Sequence, residues 1–100
     1  MATLYVTEID HLAYDASAAV VLSGQMPPVV EQAIAITGAS AQSNAFNTNA
    51  RFIMVHNDVA CCLAFGADPT AQLGFHRLAA NERLFYGVKP GQKVAVIASA

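Results

Sequence analysis

A small antiparallel β-sandwich of jelly-roll-like, all-β type, with about six to eight short strands, is the fold that this sequence predicts. Three observations predict it. Apolar and polar residues alternate with a period of two in several strand-length runs, the pattern of a half-buried strand. Turn-forming residues separate those runs at close intervals. Apolar positions three and four apart, the mark of an amphipathic helix, occur only around residues 16–22. The chain of 100 residues has no internal repeat and no low-complexity linker, so residues 1–100 read as one domain.

The first strand is Thr3–Ile9, with Leu4 and Val6 on one face and Tyr5 and Thr7 on the other. Residues 1–9 fit an N-terminal arm or edge strand whose free backbone groups add to a neighbour's sheet. Residues 10–23 admit two readings, a short helix capped by Asp15 through Ala16–Leu22 or a strand around Val20-Val21-Leu22. Met26-Pro27-Pro28 ends either, because consecutive prolines remove donors. Val30–Thr37 alternates clearly, with Ile34 and Ile36 on the face of Val30 and Gln32. Gly38–Asn44 is small and polar and reads as a loop, and Phe46 anchors the stretch after it.

Arg51–His56 and Val59–Phe65 are apolar runs of strand length flanking Asn57-Asp58, two residues that tolerate left-handed backbone; a tight hairpin is the natural reading. On its second arm Val59, Cys61, Leu63 and Phe65 share a face, while Ala60, Cys62 and Ala64 form a small, flat one. Gly66–Thr70 is turn chemistry, and residues 71–81 are irregular or one short strand. Glu82–Val88 alternates, with Leu84, Tyr86 and Val88 opposite Arg83 and Phe85. Lys89-Pro90-Gly91-Gln92 fits a type II turn. Lys93–Ser99 closes the chain, with Val94 and Val96 opposite Ala95 and Ile97.

Apolar residues make up 55% of the chain, but 20 of them are Ala, so the core is smaller than that figure implies. Charged residues make up 12%, about half the share usual in soluble domains, which suits a surface covered by a partner or by other copies. All five basic residues lie in the second half, without a cluster able to grip phosphates, so nucleic acid is not an expected partner. No apolar run approaches a membrane span, and no secretory signal opens the chain. Cys61 and Cys62 are neighbours that point to opposite faces of a strand, which disfavours a disulfide and fits reduced, packed side chains.

Motifs for chemistry are not found. There is no phosphate loop, dinucleotide fingerprint, CxxC pair or nucleophile elbow. His11, His56 and His76 are scattered; His56 and Asp58 read as a turn-proximal pair fixing the hairpin rather than as metal ligands. Cys61 has no nearby basic group to stabilise a thiolate and reads as packing. No catalytic residue, metal or cofactor is expected, and the chain does not read as an enzyme. The five phenylalanines read as core, with one or two at an interface. Arg51, Arg77 and Arg83 are either interface anchors or solvated edge positions.

The run Arg51–His56, then Asp58, Cys61, Ala64-Phe65-Gly66, Pro69-Thr70-Ala71, Arg77–Asn81, Phe85–Val88 and Lys93–Ile97, together with the opening Met1–Glu8, resembles small structural proteins encoded among the head genes of tailed bacteriophages. The resemblance covers the chain except roughly residues 10–28 and 38–50. It implies a capsid decoration (cement) protein: a β-sandwich made in the bacterial cytoplasm that assembles as a trimer or dimer, sits on the capsid surface and binds across subunits of the major capsid protein. Leu4, Tyr5 and Val6 of the arm, with Arg51, Arg77 and Arg83, are the interface residues expected on this reading. A head–tail connector, neck or fibre component is the structural alternative. A ligand- or sugar-binding jelly roll is the alternative from another class, disfavoured by the lack of Trp for carbohydrate stacking.

Overall fold

The computed structural model describes residues 2–14, 20–24 and 26–99, with only the backbone placed for Leu12–Tyr14 and Val20–Gly24. It is all-β. In chain order the strands are β1 (Thr3–Ile9), β2 (Leu12–Tyr14), β3 (Val20–Gly24), β4 (Val30–Ala35), β5 (Ala41–Gln42), β6 (Phe52–Asn57), β7 (Cys61–Gly66), β8 (Arg77–Leu78), β9 (Arg83–Gly87) and β10 (Lys93–Ala98). One four-stranded sheet has the order β4-β1-β6-β9 and a second the order β5-β10-β7-β8; β2 and β3 form a separate two-stranded ribbon between β1 and β4. All pairs are antiparallel. Of the two readings for residues 10–23, the strand holds over Val20–Leu22; Asp15–Ala19 lie outside the described residues.

The two sheets stack because each has one apolar face. Leu4 and Val6 of β1, Ile34 of β4, and Ile53 and Val55 of β6 point inward from the first sheet, and Cys61, Leu63, Val94 and Val96 point inward from the second. Ile36, Phe46, Ala50 and Leu78 complete this core, with Phe65, Leu84, Tyr86 and Val88 packed at its margin. The alternation anticipated along these strands is what divides inner from outer side chains.

Two expectations are corrected. The first is the Arg51–Phe65 hairpin. β6 and β7 lie in different sheets, and residues 58–60 carry the chain across the sandwich. The crossing is held by the Asp58 N–H donating to Thr3 O and the Ser99 N–H donating to Ala60 O. The reason lies in the partners each strand finds: β6 is flanked by β1 and β9, and β7 by β10 and β8, so neither has an edge left for the other. The second correction concerns residues 1–9. β1 is an inner strand, paired with β4 along one edge and β6 along the other, so its backbone has no free edge for a neighbour's sheet. Three side chains on its inward face, Leu4, Val6 and the aliphatic stem of Glu8, and Ile9 on the opposite face, all without solvent exposure or nearly so, hold it at the centre of the fold.

Smaller differences follow the same logic. The predicted loop 38–44 contains β5, whose Ala41 and Gln42 pair with β10. The Lys89–Gln92 turn is present, with Gly91 at φ +82° and the Gln92 N–H donating to Lys89 O at 3.3 Å, and it too joins strands of different sheets. Both ends of the chain meet the segment after β4: the Ile36 N–H donates to Ala2 O, and the Ala98 N–H donates to Thr37 O.

Candidate interaction surface

Among the described residues, three polar side chains are buried inside this apolar sandwich, and each is fully engaged. The Glu8 carboxylate accepts from Gln32 Nε2 and from the Asn47 N–H. Asn57 donates through Nδ2 to Val59 O and Ala79 O and accepts the Glu82 N–H. Ser43 Oγ accepts the Val94 N–H and donates to Asn44 O. Among the described residues no buried side-chain nitrogen or oxygen lacks a partner. These groups serve as structural ties between strands and loops. Cys61 and Cys62 are free and have no solvent exposure. Burial, with a smaller contribution from Cys62, pushes the Cys61 thiol up to about 11, so it is protonated at neutral pH and packs as a small apolar group. His56 makes no hydrogen bond to Asp58; its ring stacks on Tyr5 with centroids 6.3 Å apart.

The expected interface residues separate into three groups. Leu4 and Val6 are core residues, 0% and 1% exposed, and their side chains are not available to a partner; this corrects their assignment. Arg51 and Arg77 are exposed but engaged, Arg51 Nη1 donating to Thr48 O and Arg77 Nε donating to Ser99 Oγ. Tyr5 and Arg83 share the outer face of the first sheet, in one row with His56 between them.

Among the described residues, two surfaces carry more than one large exposed apolar side chain. The first is the loop 67–76 between β7 and β8, where Leu73 is 54% and Phe75 66% exposed. The loop is tied down on both sides of this tip. Gln42 Nε2 donates to Asp68 Oδ1 and Pro69 O, the Ala71 N–H donates to Ser40 Oγ, and the Leu63 N–H donates to His76 O. His76, in the left-handed region at φ +48°, bonds Tyr86 Oη through Nε2 at 2.7 Å, and both rings pack against Phe65. Pro69 and Ala71 are buried, while Cys62 and Ala95 on the outward side of the second sheet have no solvent exposure. Small outward residues on β7 and β10 thus let the loop lie close to the sheet, and its apolar tip is presented from a fixed base.

The second surface is the outer face of the first sheet. Tyr5 and Phe85 are about half exposed, and Phe52, Met54 and His56 are half-buried among them. Phe52 and Phe85 pair with ring centroids 6.1 Å apart. The sequence signal for this second surface was an aromatic residue at an outward position, readable for Phe85 from its alternation with Leu84 and Tyr86. The Leu73–Phe75 tip has no periodicity to mark it.

No family model, curated protein or solved structure matches this chain.

Proposed function

We propose that the protein is a structural component of a tailed-bacteriophage particle, of the capsid decoration type, docking on the outer shell and stabilising it. The phage assignment rests on the resemblance carried by the Arg51–Ile97 runs and the opening Met1–Glu8. What supports docking is the Leu73–Phe75 tip: two large apolar side chains held in water by a loop that five hydrogen bonds to neighbouring strands and loops already fix. Binding orders little that is not already ordered, so more of the burial energy appears as affinity. In this reading Leu73 and Phe75 enter apolar depressions between subunits of the major capsid protein.

Mass spectrometry of purified particles, followed by binding of the purified chain to undecorated shells, tests the proposal. The expected result is a copy number that scales with shell area, and loss of shell binding by the Leu73→Ser/Phe75→Ser variant with an unchanged circular dichroism spectrum. A copy number of one ring per particle gives the connector role instead. Absence from particles overturns the reading.

A further inference from the structure

We propose that the outer face of the β4-β1-β6-β9 sheet packs on the same face of a second copy of this chain, about a twofold axis parallel to β1 and β6 and lying between them. The strand register arranges this face in rows. One outward row reads Ala33, Tyr5, His56, Arg83 across the sheet, and the next reads Glu31, Thr7, Met54, Phe85. The middle of the face is aromatic and apolar. Its charges stand at opposite edges, Glu31 on β4 and Arg83 on β9, and both are exposed. Neither side chain makes a hydrogen bond or ion pair among the described residues.

This distribution is self-complementary. Two sheets stacked face to face are related by a twofold axis in the plane between them, running either along the strands or across them. An axis across the strands sets β4 over β4 and β9 over β9, so that Glu31 meets Glu31 and Arg83 meets Arg83. An axis along the strands exchanges the two edges. Each β4 then lies over the other copy's β9, and each β1 over the other copy's β6. Tyr5 of one copy faces His56 of the other at the centre, and Glu31 faces the edge that carries Arg83. The two charges are offset by one outward row, about 6.8 Å along the strand, which an arginine side chain spans. Like charges opposed across an interface are costly and opposite ones fix its register, so the charges select the axis along the strands.

The arrangement also removes the exposed rings of Tyr5 and Phe85 from water. It leaves the 67–76 loop free, because that loop joins strands of the opposite sheet. The dimer face and the shell-binding tip are therefore separate surfaces, and loss of one leaves the other intact.

Sedimentation equilibrium on the chain and on Glu31→Arg, Arg83→Glu and the double variant carrying both tests it. Both positions are exposed, and circular dichroism checks that each variant folds. The parent is expected to sediment as a dimer that weakens with added salt. Each single reversal should raise the dissociation constant at least about tenfold, and the double reversal should restore it to within about threefold of the parent. A parent that is monomeric or trimeric, single reversals without effect, or a double variant as weak as the singles overturns the proposal.

Discussion

Gln32 Nε2 on β4 donates a 2.8 Å hydrogen bond to Oε2 of Glu8 on β1, inside the sandwich where Glu8 has no solvent exposure. The other carboxylate oxygen accepts the Asn47 N–H at 2.7 Å, and the Gln32 carbonyl is itself held by the Asn44 N–H at 2.8 Å. Glu8 is thereby an acceptor at both oxygens, and Gln32 cannot turn over without losing Asn44. Glu8→Gln places an amide nitrogen against a donor it cannot accept from. It is expected to cost about 1–3 kcal/mol, the penalty of an unmet buried polar group, measured by urea unfolding. A Glu8→Gln variant as stable as the parent would show that the carboxylate is dispensable.

Asn57 is the corresponding tie where the chain crosses between sheets. Its amide donates two 2.7 Å bonds and its carbonyl accepts one at 3.2 Å, joining the β6–β7 crossing to the 79–82 segment. Asn57→Leu keeps the branched shape in a somewhat larger side chain but leaves Val59 O, Ala79 O and the Glu82 N–H unmet. Its stability loss should exceed that of Glu8→Gln and reach about 3 kcal/mol or more. Hydrogen exchange should show the loss of protection spreading through residues 57–61 and 79–82; a change confined to the global stability would argue against a local hub.

Burial raises the Cys61 thiol from 9.0 to about 11, so the unfolded chain releases this proton at lower pH than the folded one. The folded state then holds the proton that the unfolded state has lost, and stability, complete below pH 9, falls as pH rises toward 11. The loss is on the order of 3 kcal/mol. Tyr86, raised first by burial and then by the charge of Glu82, acts in the same direction. Thermal midpoints across this range should decline less steeply in Cys61→Ala than in the parent. Equal slopes would remove Cys61 as the cause.

Gly91 sits at φ +82° with nothing within 4 Å of where a Cβ would stand. The space is open and the backbone is not, so Gly91→Ala is expected to cost about 1–2 kcal/mol through left-handed strain alone. Gly91→Asn, which tolerates that region better, should cost less. Equal melting temperatures for the two variants would show that the turn relaxes.

The strand faces were legible in the sequence because a period of two assigns each side chain a side. Thr3–Ile9 is recovered at its own boundaries, and Val30, Glu82 and Lys93 mark their strands to within a residue. Pairing was not legible, because the same period says nothing about which strand lies alongside. Asn57-Asp58 shows the cost of that silence: two residues suited to a hairpin instead begin a crossing, and the Asn side chain that favours turns is consumed as an interior amide. Glu8 shares the parity of Leu4 and Val6 and is buried with them, yet it is assigned no side in the sequence, because a charged residue is ordinarily expected in water. The short pairings of β5 and β8 depend on β10 and β7, and nothing local announces them.

Ile36 and Thr37 grip opposite ends of the chain at adjacent peptide groups. In backbone terms the polypeptide is nearly a ring, interrupted between Ser99 and Ala2. The strand order is then a cyclic property, and where the chain happens to be opened matters little to it. A short splice across that interruption, with a new opening at the exposed Leu73–Phe75 tip, would leave every strand its present neighbours.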